Sequence, residues 1–203
     1  MSNRPDVDTA TLRDEPVEAD IVSSELVYSG RVWDVRSDTV RYGGEEIVRQ
    51  YVDHPGAAAV VAIDDDGRVV LIQQYRHPIR LRDWEIPAGL LDVAGEPPLE
   101  TAKRELAEEV DLVAARWQPL LSMRTTPGGN DEVVHVFLAR GLADAADEFA
   151  RAEEEADMTV VRVPLADVVS GVIEGRLTNG ILAAGVLAAA EVLRRESGDS
   201  AER

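Results

Sequence analysis

The sequence predicts a mixed α/β (α+β) protein whose helices flank a sheet, preceded by an N-terminal β-hairpin subdomain. Three observations predict it. Short apolar runs separated by turn residues fill the first third of the chain. One amphipathic helix pattern follows near residue 100, and the remainder offers further strands and two closing helices. At 203 residues, no Pro/Gly/Ser linker divides two cores and no repeat of 20–50 residues is present.

Residues 1–20 are polar and acidic, with Pro5 and Pro16, and read as a flexible arm. From Ser24 to Asp53 the pattern is strand-like. Val32, Trp33, Val35 and Val40 lead to Tyr42-Gly43-Gly44-Glu45, then Ile47, Val48, Tyr51 and Val52. A Gly-Gly pair between two such runs signals a hairpin, because glycine reaches the positive φ of tight turns. Residues 21–55 are therefore expected to form an N-terminal β subdomain. A second hairpin joins Ala57–Ile63 to Val69–Tyr75 through Asp64-Asp65-Asp66-Gly67. Trp84–Gly89 looks like a strand ending in a tight turn.

Leu99, Ala102, Leu106 and Val110 then form one apolar stripe at the helical period, with Pro97 and Pro98 where a missing N–H costs little. Strands are expected at Glu132–Ala139 and about Thr159–Val163. Helices are expected near Leu165–Glu174 and Asn179–Arg195. The main domain is expected over 56–196, with 197–203 as a frayed tail.

Lys and Arg number 21 against 39 Asp and Glu, a formal net charge of −18. Such a surface argues against nonspecific nucleic-acid or anionic-membrane binding, since a phosphate partner needs a positive footprint. A chain this acidic handles phosphates only through metal ions or a few placed arginines. With no cysteine, thiolate zinc sites, disulfides and cysteine nucleophiles are excluded. His54, His77 and His135 lack the spacing of a zinc cluster, and no G-x-S-x-G elbow occurs. No apolar run approaches a membrane span, and the N-terminus lacks a secretory apolar stretch, so the cytosol is the expected compartment.

The stretch from Gly89 to Leu112 carries the chemistry. On a helix, residues four apart sit about 40° apart on one side, so Glu105 and Glu109 point the same way with Glu108 beside them. Neighbouring like charges repel by roughly 0.2–0.5 kcal/mol per pair. A hard divalent cation with oxygen ligands would compensate; a solvated acidic face is the other reading. Arg104 can meet Glu108 at i+4 but cannot neutralise all three.

These residues resemble the Nudix hydrolase box, G-x5-E-x7-R-E-U-x-E-E-x-G-U, where U is a bulky aliphatic. Gly89, Glu96, Arg104, Glu105, Leu106, Glu108, Glu109 and Leu112 match. Six residues rather than five separate Gly89 from Glu96, and Asp111 replaces the glycine at the helix C-terminus, where aspartate tolerates the left-handed cap at some cost. The resemblance implies a Nudix-type α/β/α sandwich with a mixed sheet over 56–196. It also implies Glu105 and Glu109 as principal Mg²⁺ ligands, helped by Glu108 and the Ala88 carbonyl. Glu109 thereby counts among the catalytic residues, while Glu96 and Arg104 pair loop to helix. Two or more ions are implied, with manganese or zinc as possible substitutes.

The order of motifs resembles the ADP-ribose pyrophosphatase subfamily. Pro127 lies 15 residues beyond Leu112, followed by Gly128, and Gln74-Tyr75-Arg76 precedes the box. The implied reaction cleaves ADP-ribose to AMP and ribose 5-phosphate. Another nucleoside diphosphate sugar as substrate, or a catalytically silent ADP-ribose sensor, remain as alternatives. The implied general base is Glu155, with Glu154 second, from the Glu153–Glu155 run. Arg76, Pro127 and Gly128 would contact substrate. The N-terminal strands would be exchanged across a homodimer, carrying Trp33, as an adenine platform or a core residue, and Arg49 to a partner's site; Tyr51 is expected in the core.

Overall fold

The computed structural model describes residues 9–146 and 157–201, without the side chains of 199–201. The chain divides into two compact units, 1–51 and 52–203.

The first unit is a three-stranded sheet in the order β1 (Asp20–Ser29), β2 (Asp34–Tyr42), β3 (Glu45–Asp53), with β3 continuing across the unit boundary. A short 3-10 turn at Thr9–Thr11 precedes it. Gly43 and Gly44 turn the β2–β3 hairpin at φ +62° and +88°, the conformation that the Gly-Gly pair predicts. Trp33 departs from expectation. It lies in the β1–β2 turn rather than in a strand, where its carbonyl accepts the Gly30 N–H, and at 45% exposure it is no core residue. The β-branched neighbours suggested a strand, but Gly30 and Asp34 close the turn: the Asp34 carboxylate accepts from the Gly30 N–H and the Ser29 hydroxyl. Tyr51 is half-buried rather than fully in a core, its hydroxyl donating to Asp38.

The second unit carries a seven-stranded mixed sheet. Its path is β10 (Thr159–Pro164), β5 (Arg68–Arg76), β4 (Ala57–Ile63), β9 (Val133–Asp144), β8 (Leu112–Arg124). β6 (Leu81–Glu85) adds to β5, and β7 (Ala88–Leu90) to β4. β4 and β9 run parallel, and the other pairs antiparallel. β4 is buried along all seven residues and explains the layers. Ala57, Ala59, Val61 and Ile63 face a core with α2 (Leu165–Ile173) and α3 (Gly180–Ala201), through Val168, Leu182 and Val186. Ala58, Val60 and Ala62 face α1 (Pro98–Val110), through Ala102, Leu106 and Val110. Alternation at period two thus builds the α/β/α sandwich.

α1 opens with Pro98 and ends at Asp111, whose φ of +56° and ψ of +35° make the left-handed cap. Asn179 caps α3, its side-chain oxygen accepting the Leu182 N–H. α3 runs to Ala201, into the stretch expected to fray. β8 has no counterpart in the sequence reading. Pro119 sits inside it, beside a register shift between Pro119 and Leu121, which an edge strand accommodates because one side needs no ladder donor. Among the described residues no helix is long and apolar enough to cross a membrane.

Candidate active site

The box positions its carboxylates by closing α1 against the β7 turn. In the β4–β7 ladder, Val60 N–H donates to Pro87 and Leu91 N–H to Gly56, whereas the Ala88 N–H turns away and donates to Glu109 Oε2 at 2.9 Å. A strand residue's N–H and carbonyl share one edge, so the Ala88 carbonyl also faces away from β4. Glu109 is only 4% exposed. At the neighbouring position, a Cβ on Gly89 would overlap the Glu105 carboxyl group. Glycine there lets the Glu105 carboxyl lie directly on the backbone. Sequence spacing places Glu105 and Glu109 on one helix face; the structure adds the turn they grip.

Arg104 gathers the rest. Its Nη1 donates to Glu105 at 2.6 Å and to Glu108 at 3.1 Å, its Nη2 to Glu96 at 3.2 Å, and Asp92 stands 4.0 Å away. The Glu96 carboxylate is held below its ordinary value, first by the Thr101 hydroxyl at 2.8 Å and then by Arg104. Partial burial works against the Arg104 charge, but the hydrogen bonds that Arg104 donates to Glu96 and Glu108 and the charge of Glu105 outweigh it and raise its pKa. Four carboxylates share this one guanidinium, so the charge stays strongly negative.

With Glu105 and Glu108 on Arg104 and Glu109 on Ala88, no three ligating side chains converge among the described residues. The donor set still suits a hard divalent cation. It consists of oxygens, it carries excess negative charge, and the missing side chain of Gly89 lets the Glu105 carboxyl reach the turn beside the Ala88 carbonyl. The pocket here, about 320 Å³, is lined by residues that include Gln74, Arg76, Ala88, Gly89, Glu105 and Glu109. A larger cavity of about 490 Å³ lies by β10 and α2, lined by Trp84, Val161 and Leu177, but no box residue reaches it. Chemistry rather than volume therefore selects the smaller pocket.

The other sequence-derived candidates are distributed as follows. Arg76 ends β5 and lines the pocket. Pro127 and Gly128 lie in an exposed turn between β8 and β9, tied to Val52 through Gly129 and Asp131, and do not line that pocket. Glu108 is more exposed than its two neighbours in the box and is likewise not in the lining. Trp33 and Arg49 belong to the first unit. Glu153, Glu154 and Glu155 fall outside the described residues.

Sequence reasoning assigned no role to Glu85 or Gln74. Glu85 is buried on β6 and receives Arg76 through Nε and Nη2, both at 2.7 Å, with Gln74 Nε2 at 3.4 Å. Asp83, two residues earlier, is buried as well and accepts from Asn179. Leu81, Asp83 and Glu85 share one face of β6, on which the two acids are buried while Leu81, at the strand's start, is exposed. The period-two spacing of the two acids was the available signal.

A match to the NUDIX domain spans residues 53–179, more than half of the chain and the whole of this site. The chain belongs to the Nudix family. Within it, this Nudix chain is 49% identical over 168 residues to an ADP-ribose pyrophosphatase of Mycobacterium tuberculosis, covering 82% of this chain and 81% of that protein. It is 38% identical over 152 residues to an ADP-ribose pyrophosphatase of Bacillus subtilis, covering 74% and 81%. Among solved structures, one titled as the crystal structure of an ADP compounds hydrolase superposes with a TM-score of 0.74 at 22% identity, covering 91% of this chain and 98% of that one. That likeness shows the Nudix fold: the mixed sheet between helices that the sequence predicts.

Proposed function

We propose that this protein is a cytosolic pyrophosphohydrolase that splits the diphosphate of ADP-ribose, with divalent metal, into AMP and ribose 5-phosphate. The observation that carries the reading is the turn at Ala88 and Gly89 with Glu105 and Glu109 folded onto it, in a pocket shared with Arg76. The choice of ADP-ribose is supported by the names and long coverage of the two relatives. It is also supported by Pro127 at its distance from the box.

Glu105, Glu108, Glu109 and the Ala88 carbonyl would hold two or more Mg²⁺ ions, or Mn²⁺ or Zn²⁺ in their place. Such ions, when bound, neutralise diphosphate oxygens and acidify the attacking water. The protein's own groups do the rest. The Arg76 guanidinium offers charge-assisted hydrogen bonds to the diphosphate. Glu96 and Arg104 tie the loop before α1 to the helix, which keeps the cradle in register. Glu155, or Glu154 beside it, serves as the general base that takes the proton from water. Pro127 and Gly128 contact the substrate from the β8–β9 turn.

The active form in this reading is a homodimer. All ten residues of β1 are exposed, among them Ile21, Val22, Leu26, Val27 and Tyr28, and a row of exposed apolar side chains on a strand calls for a covering partner. Trp33, 45% exposed, then serves as a stacking platform for adenine, with Arg49 on the same exchanged unit.

Incubation of purified protein with ADP-ribose and Mg²⁺ tests the reading by AMP release, with a panel of UDP-, GDP- and ADP-sugars for rank. Preference for another nucleotide sugar would replace the substrate. Turnover that survives excess chelator, or full activity in Glu109→Gln, would overturn the metal assignment. A monomer by light scattering would remove the dimer.

A further inference from the structure

The Arg76–Glu85 pair has an unusual division of exposure. The Glu85 side chain is 8% exposed and that of Arg76 is 42%. Two parallel bonds of 2.7 Å occupy the Nε and Nη2 edge of the guanidinium. Arg76 also lines the pocket that holds Ala88 and Gly89. Register explains why the two meet: Glu85 faces Ile72 on β5, and Ile72, Gln74 and Arg76 succeed one another at period two. Ile72 packs in the core under α1, so Glu85 holds Arg76 on the sheet face that α1 covers.

That pocket is lined by Asp92, Glu105 and Glu109 as well. Arg104 shows what a guanidinium does beside these acids: it bonds to Glu105 and Glu108 directly. An untethered Arg76 would be drawn the same way, cancelling the negative charge on which a cation depends. We infer that Glu85 is a positioning residue: it clamps Arg76 from behind, keeping the guanidinium off the metal-binding carboxylates and turned for the substrate diphosphate. Gln74, bonded to the same carboxylate, completes the clamp. The inference rests on the hydrolase reading above and adds a residue to it.

Steady-state kinetics of the full chain with Mg²⁺ test it, using Glu85→Gln, Arg76→Ala and the double variant, each with a thermal melt. Glu85→Gln keeps the shape and drops the charge. It is expected to raise KM for ADP-ribose about tenfold, the scale of one charged hydrogen bond, with kcat within about threefold. It is also expected to shift Mg²⁺ half-saturation upward, which a merely structural residue would not do. The double variant is expected to be no worse than Arg76→Ala, because the two act as a unit. Unchanged KM in Glu85→Gln, or effects that multiply in the double variant, would overturn the clamp.

Should Glu85→Gln fail to fold, Arg76→Lys replaces it. That change keeps the charge but loses the two-pronged bond, and a wild-type KM there overturns the proposal equally. A wild-type protein inactive on ADP-ribose but active on another nucleotide sugar sinks the substrate reading alone, and the clamp is then judged on that diphosphate. Inactivity on the whole panel sinks both.

Discussion

Replacing Gly89 with alanine separates folding from catalysis at one methyl group. The Cβ would overlap the Glu105 carboxyl. Carbon atoms in ordinary contact sit about 3.5–4.0 Å apart, so that carboxyl must retreat by more than about 1 Å. The backbone itself accepts alanine, since Gly89 lies in β7 without a left-handed φ. What moves is the end of a flexible side chain, at a cost of about 0.5–1.5 kcal/mol for an off-rotamer torsion. That corresponds to a fall in Tm of roughly 1–6 °C for a chain of this size. The catalytic cost is of another order, because a displacement of about 1 Å in a catalytic group costs about 100-fold. AMP release from ADP-ribose, measured as kcat/KM beside a thermal melt, reads both. Gly180→Ala is the control, as its added methyl meets nothing within 4 Å. A Gly89→Ala enzyme with wild-type kcat/KM would refute the reasoning, since Glu105 would then have no business on that turn.

Glu155→Gln is expected to lower kcat by about 100- to 10,000-fold with KM nearly unchanged, the range of general base catalysis; full activity transfers the role to Glu154 or elsewhere. Asp111→Gly is expected to stabilise the fold by about 1 kcal/mol in urea unfolding, because glycine adopts the left-handed cap at φ +56° without a Cβ penalty. A destabilised variant would show that the Asp111 side chain contributes more than the cap costs. Glu96→Gln is expected to lower Tm at neutral pH. The Glu96 pKa is depressed in the fold, so its contribution is present above its ordinary value of 4.5 and fades as pH falls toward the depressed value. The Tm curves of the two proteins should therefore converge below about pH 4; a constant gap down to pH 3 would contradict the pairing with Thr101 and Arg104.

How much was legible beforehand depended on distance along the chain. The α1 stripe, the Gly43–Gly44 turn, the left-handed cap at Asp111 and the shared face of Glu105 and Glu109 are all set within a few residues. Local period and turn chemistry encode them directly. Trp33 misled because β-branched neighbours suggested a strand, while Gly30 and Asp34 closed a turn around it. β8 escaped because Pro119 and its alanines and arginines carry no strand signature, and only its place at the sheet edge admits them.

The order of residues determined by itself the reaction class, because the box is a set of spacings within one loop and one helix. Tertiary structure alone decided the partners. Glu109 sits on Ala88, Glu105 on Gly89, Arg76 on Glu85, and β1 lies bare along its length. Each of these depends on sheet register and on where a helix lands, and no local propensity specifies either. Buried acids on β6 show the reason most clearly: composition would leave Asp83 and Glu85 in solvent, and their cost of burial is offset by Asn179 for the first and by Arg76 and Gln74 for the second, all brought in by the fold.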